Sequence, residues 1–162
     1  KEVIAQAADA LVEQLGVRIV FLPMQYPGDS EVSRRIQSRM RQPSVLLDKE
    51  FTTSEMLSIV GNLDMLIGIR LHALIFAAVM HVPMIGISYD PKIDRFLETL
   101  GDNHVGTLES VTTDGMIDKV QTLWSEIRQM NKMREERISA LRSQAFSNAE
   151  LAVALIEGRR RR

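Results

Sequence analysis

The 162-residue chain contains no cysteine, which rules out structural disulfides and thiolate metal sites. A reducing cytoplasm is compatible with that absence and is the expected location. Charge of one sign is also lacking, with 20 Lys and Arg against 21 Asp and Glu, so nothing in the balance points to nucleic acid. The most apolar stretch, within residues 63–89, is interrupted by Arg70, His72, His81 and Pro83 and falls short of a membrane span. The opening Lys1-Glu2-Val3 carries no secretory-signal pattern and reads as the start of a segment from inside a longer protein. No GxGxxG, Walker, GxSxG or HExxH pattern occurs, which argues against dinucleotide redox chemistry, P-loop hydrolysis, a serine hydrolase or a zincin.

What is present is a regular alternation of helix and strand periods. Residues 3–15 carry apolar groups at Val3, Ile4, Ala7, Ala8, Leu11, Val12 and Leu15, a helical stripe ended by Gly16. Residues 17–22 read as a short buried strand, followed by a loop over 24–29 and a polar surface helix over 30–42. Residues 45–47 form a strand. Thr53 or Ser54 then caps a helix reaching Asn62. Strands at 65–68 and 84–88 flank an apolar helix over 70–80, which His81 closes as a surface cap. Pro91 opens a helix over 92–100 that stops at Gly101. A small strand at 104–106, with an isolated His104, precedes helical segments at 114–133 and 135–156, with a bend near Asn131.

That order predicts a single α/β domain over residues 1–162: a doubly wound, Rossmann-like parallel sheet with helices on both faces. Ligands of such sheets bind beyond the carboxyl ends of the strands, where helix N-termini present free N–H groups to anions. Three loops meet that description, at residues 23–29, 68–72 and 88–92.

In the second loop, Gly68-Ile-Arg-Leu-His72, a guanidinium, an imidazole and the backbone amides of a helix start converge. Arg offers a planar fork for oxyanions, and His moves protons near neutral pH. The alternative is structural, with Arg70 paired to a carboxylate such as Asp64 and His72 capping the helix. In the third loop, Ser88-Tyr-Asp-Pro-Lys92, a lysine in the first helical turn opposes the helix dipole unless an anion is bound there. Lys92 solvated beside Asp90 or Asp94 is the simpler alternative. Tyr89 is placed to stack on a ligand or hydrogen-bond it.

Residues 64–78 (DMLIGIRLHALIFAA) and 82–92 (VPMIGISYDPK) together resemble the C-terminal part of polysaccharide pyruvyl transferases of the bacterial cell-surface-polymer type. The resemblance is densest over residues 64–97. It implies a GT-B-like enzyme of two Rossmann-type domains, of which this chain is the C-terminal, donor-binding half. The N-terminal domain is then a missing partner, and the isolated half binds donor without necessarily turning over. The implied reaction transfers pyruvate from phosphoenolpyruvate to a sugar as a ketal during cell-surface polysaccharide synthesis. By the same resemblance, Arg70 and His72 are the catalytic pair. Leu71, Ser88, Tyr89 and Lys92 join them in binding substrate, with no metal and no cofactor beyond the donor. The implied acceptor is a sugar, in some members lipid-linked. The basic run at residues 159–162 reads as a solvated end or as a peripheral contact with the cytoplasmic face of a membrane. Two other readings stay open: a nucleotide-sugar glycosyltransferase domain of GT-B type, and a non-catalytic binding domain.

Overall fold

The computed structural model describes residues 1–101 and 104–160, with the side chains of 104–105, 127–137, 152 and 154–160 outside the description. Its elements run α1 (Glu2–Leu15), β1 (Ile19–Phe21), α2 (Gly28–Gln37), β2 (Ser44–Leu46), α3 (Thr53–Val60) and β3 (Leu66–Gly68). They continue with α4 (Leu71–Val79), β4 (Met84–Ser88), α5 (Pro91–Leu100), β5 (His104–Thr107) and α6 (Thr113–Arg160). Every strand pairing is parallel, and a helix follows each strand, so the fold is α/β of Rossmann-like type.

The strands form two sheets, β1-β2 and β3-β4-β5, where the periodicity predicts one. β1 pairs with β2, Phe21 further accepting from the Leu47 amide at 3.0 Å, and its second edge is not paired with β3.

Helices cover both faces of β4, as its alternating side chains require. Ile85 packs with Leu11 of α1 and Val120 and Leu123 of α6. Met84 faces the other way, into a cluster with Leu74 of α4 and Ile93 and Leu97 of α5. Gly68 and Gly86 are register partners on that second face. A Cβ would fall 2.8 Å from Leu74 at Gly68 and 2.4 Å from Leu97 at Gly86. Bare backbone at both positions therefore lets α4 and α5 lie close on the sheet, which sets the start of α4 directly beyond β3.

Local chemistry explains most of the boundaries. Gly16 and Gly101 take left-handed conformations (φ 65° and 70°) that end α1 and α5. His81 occupies the same region (φ 58°) just past α4, its N–H donating to the Ala78 carbonyl at 3.1 Å as a helix-ending residue should. The cap of α3 corrects the expectation at Thr53 or Ser54: it is Thr52. The Thr52 hydroxyl accepts from the Glu55 amide at 3.3 Å, and the Glu55 carboxylate accepts from the Thr52 amide at 2.8 Å, a reciprocal capping box. That amide bond, joined by the Thr52 hydroxyl, holds the Glu55 carboxyl below its ordinary range. Thr52→Ala is expected to cost about 1 kcal/mol of stability by chemical denaturation, whereas Thr53→Ala should leave it within a few tenths.

A second correction concerns the C-terminal region, where α6 runs as one helix from Thr113 to Arg160 in place of two segments. Met116, Val120 and Leu123 bury its first part, and Ile138 is buried in the cluster on the other face. Further on, Phe146, Leu151 and Val153 are exposed. Among the described residues, no helix is long and apolar enough to cross a membrane.

Candidate functional site

The loops after β1, β2 and β3 meet at the carboxyl ends of the strands, around an open cleft of ≈ 420 Å³. Its lining mixes apolar side chains, Met24, Phe51, Met56 and Phe76, with the polar Gln25, Thr53, Arg70 and His72. Lys49 adds a cation at the margin, its ammonium 4.6 Å from the centre of the Phe51 ring.

Arg70 is the residue before the first turn of α4, with extended backbone angles, and its carbonyl accepts from the Ala73 amide at 3.0 Å. The α4 cap has no side-chain hydrogen bond, so the N–H groups of Leu71 and His72 belong to the unpaired first turn. Leu71 turns its side chain toward the cluster beneath α4, which leaves the backbone amide as what it can offer a ligand. His72 is exposed on the cleft side. It does not cap the helix.

The Arg70 guanidinium pairs with Asp29, not with Asp64: Nη2 donates to Oδ1 at 2.8 Å. Asp29 sits in the first turn of α2, and its other oxygen accepts from the amides of Gln25 at 3.0 Å and Met24 at 3.3 Å. One carboxylate thus joins the loop after β1 to the residue after β3. The Asp29 hydrogen bond is the main cause that raises the Arg70 pKa above its ordinary value. Burial opposes it, while the Asp29 charge and the Tyr89 phenol add to it. Tyr89, half exposed at the end of β4, therefore belongs to the same group.

Of the predicted residues, only Arg70 and His72 are among those that line the cleft; Leu71, Ser88, Tyr89 and Lys92 are not. Ser88 is buried, its Oγ at 3.5 Å from the Asp90 carbonyl. Lys92 lies in the first turn of α5, where its ammonium is 3.2 Å from Asp90 Oδ2 and its amide donates to Asp90 Oδ1 at 3.0 Å. Asp90 is the N-cap of α5, so a carboxylate already answers the unfavourable placement of Lys92 against the helix dipole. The Lys92 amide bond is the main cause that lowers the Asp90 pKa, against the opposing effect of burial. His104 begins β5, and its side chain is outside the described residues.

Sequence reasoning missed Asp29 as the partner of Arg70 and missed the apolar lining by Phe51, Met56 and Phe76. Asp29 had one available signal, an acidic residue in the first turn of a helix that follows a strand-end loop. The apolar lining had none, since apolar residues in an α/β domain read first as core. Among the described residues, no group of three or more His, Asp or Glu is arranged to hold a metal ion.

A family model described as polysaccharide pyruvyl transferase matches residues 1–91, more than half of the chain. The matched region contains the Arg70-Leu71-His72 segment and ends one residue before Lys92. No curated protein and no solved structure matches the chain.

Proposed function

Since the chain belongs to the polysaccharide pyruvyl transferase family, we propose that it transfers pyruvate from phosphoenolpyruvate to a sugar diol as a cyclic ketal, with Arg70 and His72 at the centre of the donor site. The observation that carries this reading is the cleft itself: Arg70, anchored by Asp29, and the exposed His72 both line it, beside the uncapped start of α4.

The chemistry asks for those groups. Phosphoenolpyruvate brings a carboxylate and a phosphate, both oxyanions. Arg70 spends one N–H on Asp29 and neighbours the Tyr89 phenol, and its remaining donors suit an oxyanion, in the bidentate manner a guanidinium favours. The unpaired amides at the start of α4 add donors where the helix dipole is positive. His72 delivers a proton to the enol methylene, which becomes the ketal methyl. The adjacent carbon gains oxocarbenium character, two sugar hydroxyls add to it, and inorganic phosphate leaves. The two hydroxyl protons pass to the imidazole and to the departing phosphate, so protons balance over the cycle. Leu71 serves through its amide, and Tyr89 braces Arg70. In this reading Ser88 supports the turn at the end of β4, and Lys92 reaches the donor only by leaving Asp90.

The rest of the reading follows the family. The acceptor belongs to a cell-surface polysaccharide, carried on a lipid in the form that reaches the enzyme. A second Rossmann-type domain faces the cleft in a GT-B arrangement and supplies acceptor contacts. The reaction runs in the cytoplasm. The end of the basic run at 159–162 lies outside the described residues, and its proposed contact with an anionic membrane face follows from charge alone, at about 1 kcal/mol per Arg near such a surface.

Calorimetric titration with phosphoenolpyruvate, with UMP and UDP as comparators, tests the donor site. Saturable binding of phosphoenolpyruvate is expected. Arg70→Ala should weaken it by ~10–100-fold, the worth of hydrogen bonds to a charged group. Binding of the uridine nucleotides alone, or an Arg70→Ala protein as tight as wild type, would overturn the assignment.

A further inference from the structure

We propose that Asp29 is a positioning residue of the donor site, its carboxylate fixing the Arg70 guanidinium and the loop after β1 in one arrangement. The inference rests on the donor-site reading above and names a group that neither the RLH segment nor the YDPK segment contains.

The geometry is a two-sided clamp. Oδ1 accepts from Arg70 Nη2 at 2.8 Å, and Oδ2 accepts from the Gln25 and Met24 amides at 3.0 and 3.3 Å. Gln25, Met24 and Arg70 all line the cleft. Asp29 itself is not among the lining residues, and its side chain is only 22% exposed. The carboxylate therefore works from behind the wall, through the groups that face the ligand. An unheld arginine loses rotamer freedom when it grips an anion, and the Asp29 contact takes that loss before the ligand arrives. The negative charge next to Arg70 acts in the opposite direction, as a rival of the incoming anion. These two roles predict opposite signs for a neutral replacement, which makes them separable.

Asp29→Asn is nearly isosteric and discriminating for a specific reason. An amide has a single acceptor oxygen, so it can serve Arg70 or the loop amides and must point N–H groups at the other. The test measures phosphoenolpyruvate binding by calorimetry for the complete chain as wild type, Asp29→Asn, Arg70→Ala and the double variant. If Asp29 acts through Arg70, Asp29→Asn weakens binding by ~5–10-fold, and the double variant binds within twofold of Arg70→Ala alone. Unchanged or tighter binding by Asp29→Asn would overturn the proposal and leave Asp29 as a competing counterion. Full additivity in the double variant would overturn it as well, since a merely structural role multiplies through. If Arg70→Ala binds as wild type, the donor-site reading fails and takes the inference with it. Loss in Arg70→Ala with none in Asp29→Asn sinks the inference alone. Thermal unfolding checks each variant. Should Asp29→Asn fail to fold, Asp29→Glu carries the test: with the charge and both acceptors kept, it should bind within threefold of wild type, and a folded Asp29→Glu as weak as Arg70→Ala would overturn the clamp.

Discussion

Replacing His72 by alanine should lower ketal formation by ~10²–10⁴-fold, the range that a positioned acid or base contributes. The imidazole is exposed in the second position of α4 and lines the cleft together with Arg70. The rigid underside of α4, with Ala73, Leu74, Ala77 and Ala78 buried, holds it there. Truncation at this exposed position removes little packing, so the fold should be unchanged. If His72 supplies the proton for the enol methylene, the loss falls on kcat and the affinity for phosphoenolpyruvate stays within a few-fold. A loss expressed mainly in affinity would make the imidazole a phosphate ligand. Ketal methyl formation, followed by proton NMR in the enzyme completed by its partner domain, gives the rate directly. Near-normal turnover in the variant would remove His72 from the chemistry.

Much of the fold was legible because periodicity and turn chemistry are local. The α1 stripe ending at Gly16, the β4 strand between Pro83 and Tyr89, and α5 between Pro91 and Gly101 stand where the sequence predicts them. The prediction of Arg70 and His72 beside a strand-end loop was also local, since a strand of apolar residues followed directly by an apolar helix leaves little else for them to occupy. What was not legible depends on which of several available partners a group selects. Arg70 and Asp29 are 41 residues apart, and several carboxylates on the chain could have met that guanidinium. Thr52 and Thr53 are chemically equal as caps, and only the reach of Glu55 selects the first. For Lys92 the sequence offers either a bound anion or a neighbouring Asp90 or Asp94, and the structure selects Asp90, the cap of α5. The division of the strands into two sheets depends on which edges pair, which no pattern of side chains records.

Asp9→Ala should destabilise the chain by about 2–6 kcal/mol at neutral pH, because it strips two backbone amides of their acceptor at about 1–3 kcal/mol each. Asp9 is 2% exposed on the inner face of α1, where the apolar stripe gives no reason for a carboxylate. Its oxygens accept from the Gln42 amide at 2.8 Å and the Arg41 amide at 2.9 and 3.0 Å, tying α1 to the turn that leads into β2. The exposed Arg41 guanidinium approaches to 3.5 Å and contributes less. Burial alone would raise the Asp9 pKa, but the amide hydrogen bonds from Arg41 and Gln42, with the Arg41 side chain, outweigh it and hold the carboxyl below its ordinary range. The folded value lies under the unfolded one, so the contribution is complete above the unfolded pKa of about 4. It is lost as pH falls through the lowered folded value. Chemical denaturation at steps from pH 7 to pH 3 should therefore show a constant gap between wild type and Asp9→Ala down to about pH 5, narrowing below about pH 4. Asp9→Asn, with one acceptor left for two amides, should fall between them and lack the acid-dependent narrowing. A gap under about 0.5 kcal/mol at pH 7, within the scatter of ordinary surface substitutions, would show that α1 is held by its apolar face alone.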